Sequence, residues 1–185
     1  MAENSQNCLV DGSAPATPAD VQARLTHLGI EFETKEHPPM YTVADSQKFR
    51  EGVPGGYSKN LFLRNKKGRM WLVTLLEDRE VDLRKLGESI GAGRVSFAST
   101  TRLMQYLGVI PGSVTPLAVI NDIRGQVTAV IDEDLLALSP VHFHPCVNTM
   151  TTSMQPSGLL AYMQYCNHDP ALISADSFQG AENSD

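Results

Sequence analysis

Hydrophobic positions along the chain recur first at helical and then at strand spacing. Val21, Leu25 and Leu28 follow Thr17-Pro18, an N-cap with proline at the first helical position, and Gly29 stops the run. That spacing predicts a first helix. Phe32 to Glu36 alternates and predicts a short strand, and Thr42 to Phe49 predicts a short helix. Tyr57 to Asn65 and Arg69 to Leu76 are rich in Leu, Phe, Trp and Val and flank Lys66-Lys67-Gly68, which predicts an antiparallel hairpin. Asp82 then caps a helix carrying Leu83, Leu86 and Ile90, ended by Gly91-Ala92-Gly93. After a strand at Val95 to Phe97, Ser99 caps a helix with Leu103, Tyr106 and Leu107.

Pro111 and Gly112 open a loop. Thr115 to Asn121 and Gln126 to Ile131 predict a second strand pair across a turn at Asp122 to Gly125. Short strands at Val141 to His144 and Thr149 to Thr152 precede a last helix from Pro156 to Cys166. Adjacent hairpins broken by helices in ones and twos predict an α+β domain, with a mixed, mostly antiparallel sheet covered by helices. Residues 1–16 and 174–185 are small and polar and read as tails around a folded unit of residues 17–173.

Composition narrows the function classes. A chain of 185 residues with 42% hydrophobic and 19% charged positions fits one folded domain and excludes a fibrous or wholly disordered protein. Its formal charge of −6 has the wrong sign for holding a long nucleic acid by its summed field, so no DNA partner is expected and any nucleic-acid contact is local. Cys8, Cys146 and Cys166 form no C-x-x-C pair and read as reduced thiols. With no basic leader and no long apolar run, the expectation is a cytoplasmic protein with no membrane partner.

Familiar catalytic signatures are absent, and no cofactor is indicated: there is no G-x-S-x-G, no phosphate-binding G-x-x-x-x-G-K-[ST], no H-E-x-x-H and no G-x-G-x-x-G. His142 and His144 lie two apart and so share a strand face. They are open to two readings, a metal shared with Cys146 or histidines bonded to backbone or substrate; no metal site is expected, because no further ligands complete the sphere. From Lys59 to Arg69 there are five cations and no acid. Lys66, Lys67 and Arg69 read as a solvated turn, whereas Lys59 follows Gly55-Gly56-Tyr57-Ser58 at a strand start, where a phosphate or carbonyl oxygen can approach. The loop Gly112-Ser113-Val114-Thr115-Pro116 is either a plain helix-to-strand turn or a rigid frame presenting backbone groups to a small ligand.

Three motifs in order, Lys59-Asn60-Leu61-Phe62-Leu63, the G-x-x-x-P loop Gly112 to Pro116, and Phe143-His144-Pro145 followed by Asn148-Thr149-x-Thr151, resemble the YbaK-like aminoacyl-tRNA deacylases. The likeness runs from about the first helix to the last and is similar to the editing insertion of bacterial prolyl-tRNA synthetase. It implies that fold, no cofactor, and hydrolysis of alanine misattached to the tRNA for proline, with that tRNA end and possible contact with the synthetase as partners. By the same resemblance Lys59 and Asn60 are the implied catalytic residues. His144 and the loop Gly112, Ser113, Val114, Thr115 and Pro116 are implied to line the aminoacyl pocket. Arg64, Lys66 and Arg94 are the positions expected to meet the acceptor stem. Relatives that edit cysteinyl-tRNA usually carry a glycine-rich loop followed by basic residues; Gly112 to Ala118 departs from that and sits nearer the alanine-editing branch. Deacylation of another small residue, cysteine or serine, and a non-catalytic tRNA-end module are the alternatives.

Overall fold

Thr17 starts the first helix, α1 (Pro18–His27), through a reciprocal cap: its hydroxyl accepts the Asp20 N–H, and the Asp20 carboxylate accepts the Thr17 N–H at 2.7 Å. A computed structural model describes residues 7–39 and 52–179. The helix expected at Thr42 to Phe49 lies outside them. Eight strands follow among the described residues: β1 (Phe32–Glu36), β2 (Gly56–Asn65), β3 (Met70–Leu76), β4 (Val95–Phe97), β5 (Val127–Asp132), β6 (Val141–Phe143), β7 (Met150–Met154) and β8 (Ala171–Ile173). The further helices are α2 (Leu83–Ser89), α3 (Thr100–Leu107), α4 (Glu133–Leu136) and α5 (Pro156–Tyr165), with 3-10 turns at Pro116–Asn121 and Ala175–Ser177.

The strands lie in the order β1-β7-β6-β2-β3-β5-β8, with β4 also on β2. Four pairings are antiparallel (β1 with β7, β2 with β3, β2 with β4, β6 with β7) and three parallel. The sheet is thus mixed and mostly antiparallel, as its hairpin-rich sequence implies. Met70 to Leu75 of β3 is buried at every position, because apolar layers cover both sides. On one face Phe62, Met70, Leu72 and Ile131 pack with Leu25 of α1, Leu107 of α3 and Leu159 of α5. On the other, Leu63, Trp71, Val73 and Leu75 pack with Leu86 of α2 and Phe178. Each such side chain contributes about 1.5–3 kcal/mol on full burial.

Two expectations are corrected. Thr115 to Asn121 is a 3-10 turn and pairs with no strand: Thr115 Oγ1 accepts the Leu117 N–H and Pro116 occupies the first helical position. Pro116 to Val119 is buried on all sides, so its apolar run lacks the alternation that separates strand from helix. Its presumed partner β5 instead runs parallel to β3. The turn expected between the two segments is exposed at residues 123–126 but is pinned by buried Asp122, which accepts N–H groups of Gln126 and Val127 and lies 3.0 Å from His168 Nε2. Burial opposes its charge, but these bonds prevail and hold the carboxyl below the ordinary range.

The limits of the folded unit also move outward. Leu9 is buried, Val10 donates to the Gln105 carbonyl, and Ala16 N–H meets Asn121 Oδ1 at 2.8 Å. At the other end Phe178 is 0% exposed and its carbonyl accepts the Asp82 N–H. Small polar composition around one large apolar residue hid both anchors. Phe178→Ala is therefore expected to destabilise the fold by about 3–5 kcal/mol in urea denaturation; a loss under about 1 kcal/mol would return residues 174–179 to the status of a tail.

Candidate functional site

Strand β2 has one continuous and one interrupted edge. Along one side β3 pairs with it from Ser58 to Arg64. On the other, β6 pairs in parallel at Gly56 and Tyr57 only, and β4 takes over from Leu63 to Asn65, with Ala98 N–H reaching the Phe62 carbonyl. Between these partners, Ser58 to Leu61 faces no strand on that side among the described residues. The gap opens at the carboxyl end of a parallel pair, where crevices in such sheets accept ligands.

Lys59 and Asn60 stand at this gap, on opposite faces of the strand. Lys59 lies across from Leu75 and Asn60 across from Thr74. The Lys59 ammonium donates to the Arg79 carbonyl. Partial burial lowers its pKa, opposed by the nearby charges of Asp78, Glu77 and Glu80. Arg79 is itself held by Asp132, at 2.9 Å, and by Asp134. Asn60 donates weakly to Ser58 Oγ at 3.4 Å, while its Oδ1 is buried with no hydrogen-bond partner among the described residues. A buried acceptor left unpaired costs about 1–3 kcal/mol, a cost natural proteins retain where the group has another use.

His144 follows directly on β6. Its Nδ1 lies 2.8 Å from the Met150 carbonyl and so carries the proton, leaving Nε2 as an acceptor. Burial draws its pKa below the ordinary 6.5; the Met150 bond works the other way, and His37 adds to the depression. The His37 ring lies 5.9 Å from that of His144, and its Nε2 is 2.9 Å from Thr151 Oγ1. Sequence reasoning missed His37. It belongs to no periodic segment, and only the β1–β7 pairing, ending at Glu36 and Met150, carries it to this place.

The G-x-x-x-P loop meets the same segment. Gly112 is exposed with φ 88°, and a Cβ there would stand 3.8 Å from Asn148 Nδ2. Ser113, Thr115 and Pro116 are buried and Val114 packs against the core, so the loop offers its glycine outward and uses its other members to hold itself down. Gly55 plays a different part from the one expected of it. A Cβ at Gly55 would collide with the Pro140 carbonyl and the His142 ring, so the protein itself fills the space reserved for a ligand.

The structure thus brings Gly112 beside Asn148, four residues along the chain from His144. It places Arg64 and Lys66 apart, toward the far end of β2, where seven residues of extended chain from Lys59 to Lys66 span roughly 23 Å. Arg94 is exposed in the turn before β4. His142 has both ring nitrogens engaged, 2.8 Å from Ser153 Oγ and 3.0 Å from the Pro54 carbonyl, and stacks on Tyr57 with centroids 4.4 Å apart. Burial pushes the Cys146 thiol up to about 12, far from a metal-binding thiolate. Neither residue is therefore available to share a metal with His144. Among the described residues no trio of His, Cys, Asp or Glu could hold one, and no helix is long and apolar enough to cross a membrane.

Comparison with known proteins gives this geometry its context. The model of the aminoacyl-tRNA editing domain matches residues 37–162, a span holding all three motifs. The mouse prolyl-tRNA synthetase associated domain-containing protein 1 is 36% identical over 163 residues, covering 85% of this chain and 96% of its own. The prolyl-tRNA editing protein ProX of Acetoanaerobium sticklandii is 39% identical over 132 residues, covering 71% and 80%. A crystal structure described as a candidate trans-editing enzyme for prolyl tRNA synthetase shares the fold, with a TM-score of 0.68 at 21% identity over 91% of this chain and all of that one. By the span of the domain match and the identity to relatives of nearly its own length, the chain belongs to the aminoacyl-tRNA editing domain family.

Proposed function

We propose that the chain is a deacylase that removes alanine wrongly esterified to the tRNA for proline. The observation carrying this reading is the buried, unpaired Asn60 Oδ1 beside the unpaired stretch of β2. A substrate entering that edge meets Asn60 on one side and Lys59 on the other. Asn60 Oδ1 accepts a donor from the aminoacyl group. Lys59 turns from the Arg79 carbonyl toward the ester or the adjoining phosphate and stabilises negative charge developing on the carbonyl oxygen.

In the reaction a water oxygen bonds to the ester carbon and the bond from that carbon to the ribose oxygen breaks. One water proton ends on the ribose hydroxyl. An aminoacyl ester is already activated, so a positioned water and one cationic group suffice. His144, neutral with Nε2 open, narrows the pocket and accepts a hydrogen bond from the substrate amine or the water. Gly112 and Asn148 close the side opposite. The need for such an activity is physical: a synthetase pocket sized for proline distinguishes the smaller alanine by only about 1–3 kcal/mol, and a tighter hydrolytic pocket excludes proline sterically. ProX is named as a prolyl-tRNA editing protein, which supports proline as the tRNA concerned. In this reading the cytoplasm supplies the mischarged tRNA, and prolyl-tRNA synthetase is its source.

Three measurements test these roles. Lys59→Ala should lose most of the single-turnover hydrolysis of alanyl-tRNA for proline, and an unchanged rate would sink the assignment; cysteinyl and seryl esters on the same tRNA, run alongside, establish the preferred residue. Asn60→Ala should lower that rate about 10²- to 10³-fold while leaving urea stability unchanged or slightly raised, since the orphaned oxygen is removed. A parallel fall in stability would instead make Asn60 a structural residue. For His144, burial favours the neutral ring, so activity that uses free Nε2 is present above its depressed pKa and lost as pH falls through it, below 6.5. His144→Gln should abolish this acid limb, and an identical limb in the variant would assign it to another group.

A further inference from the structure

Charge along the chain is sharply segregated. Residues 52–76 and 89–121 contain seven of the fifteen cations and none of the twenty-one acids, leaving eight cations against all the acids elsewhere. These two stretches build β2, β3, β4 and α3. The acid-free stretches therefore run along β2 and on through β4, the strand that closes the gap at its far end, while Glu77, Asp78 and Glu80 stand near Lys59 at the other end.

On β4 stands Phe97, a large apolar side chain that is 59% exposed. It pairs across from Leu63, while Ser96 pairs with Arg64. Strand alternation puts Phe97 on the face shared by Leu63, Leu61 and Lys59, and Arg64 on the opposite one. Among the described residues β4 pairs only with β2, so the ring lies at an open sheet edge, with exposed Arg94 three residues before it and Lys59 farther along the same face. Lys59 is four residues back from Leu63 and one strand over, roughly 14 Å from Phe97 between backbones. Stacked nucleotides rise about 3.4 Å each, so an unpaired end of a few nucleotides spans that distance.

We propose that the Phe97 ring is a stacking platform for an unpaired base of the RNA 3′ end whose terminal ester reaches Lys59 and Asn60. The proposal rests on the deacylase reading above and adds to it the residue that holds the single strand. An exposed aromatic on a strand that leads to a cation suits this ligand: the ring takes the base face without regard to sequence, and cationic side chains such as Arg94 and Lys59 take the phosphates. Phe97 acts by positioning and touches no reacting atom.

The test uses an uncharged acceptor-stem hairpin RNA ending in unpaired CCA, with the same hairpin made blunt as comparison, titrated at low ionic strength. Phe97→Ala should weaken binding of the CCA hairpin roughly 5- to 100-fold, leave the blunt hairpin unaffected, and keep the dependence on salt unchanged. Phe97→Tyr should bind as the parent does. On alanyl-tRNA, Phe97→Ala should raise the enzyme concentration giving half-maximal single-turnover rate and leave the maximal rate intact. Equal affinity of Phe97→Ala and the parent for the CCA hairpin, equal weakening on both hairpins, or a fall only in the maximal rate would each overturn the proposal. So would a change of the parent from dimer to monomer on Phe97→Ala, which would mark the ring as a self-association contact. A parent protein that binds the CCA hairpin through Phe97 but hydrolyses no alanyl ester would overturn the deacylase reading and leave the platform standing.

Discussion

Strand β2 is asked to pair with three neighbours, and the site exists because it cannot do so everywhere. β3 occupies one edge throughout, so β6 and β4 must divide the other, and they leave Ser58 to Leu61 between them. A strand edge elsewhere is a hazard that proteins cover or charge. Here the interruption leaves adjacent residues of different chemistry, a cation and an amide, on the two faces of the strand beside the gap. Both are anchored by a hairpin partner, β3, whose residues are buried on both faces. Precision in the site thus derives from the best-packed strand of the sheet.

In the deacylase reading His144 forms the second wall, and it is fixed by different means. His144 sits just beyond a three-residue strand and would be poorly held by pairing alone. Its orientation instead follows from the bond to the Met150 carbonyl on β7, which is held in turn by β1. His37 at the end of β1 bonds Thr151, two strands away from β2. Burial of the His144 ring favours its uncharged imidazole, and within the deacylase reading a neutral pocket suits an aminoacyl group whose amine must shed water to enter. The two walls of that reading differ in electrostatics as a result: one carries a partly buried ammonium near three acids, the other a pair of histidines.

Much of this was legible in the sequence where local chemistry decides structure. The caps at Thr17, Asp82 and Ser99 and the hairpin around Gly68 follow from hydrogen-bonding groups a few residues apart. What escaped was decided by distant packing. Nothing near Phe178 announces that it fills the layer above Leu75, and the buried run Pro116 to Val119 has no polar face to reveal its period. The site divides in the same way. Lys59, Asn60 and His144 sit in compact motifs, whereas His37 reaches the pocket only through pairing of strands more than a hundred residues apart. Glycines gave the opposite error, since Gly55 looked like room for a ligand and is room for the protein's own Pro140 and His142.

Net charge is a poor guide to function for a protein of this kind because phosphate attraction falls off within a Debye length, about 8–10 Å at ordinary ionic strength. An RNA end lying on the acid-free strands feels the nearby cations far more than the acids elsewhere on the chain. The acids near Lys59 are the exception: Glu77, Asp78 and Glu80 stand close enough to repel a phosphate that lingers there. Within the deacylase reading, that arrangement gives the two ends of the contact opposite character. Cations and an aromatic ring favour capture at the β4 end, while carboxylates at the Lys59 end disfavour retention once the neutral ester has become an anionic amino-acid carboxylate. Hydrolysis itself then creates the charge that the site expels.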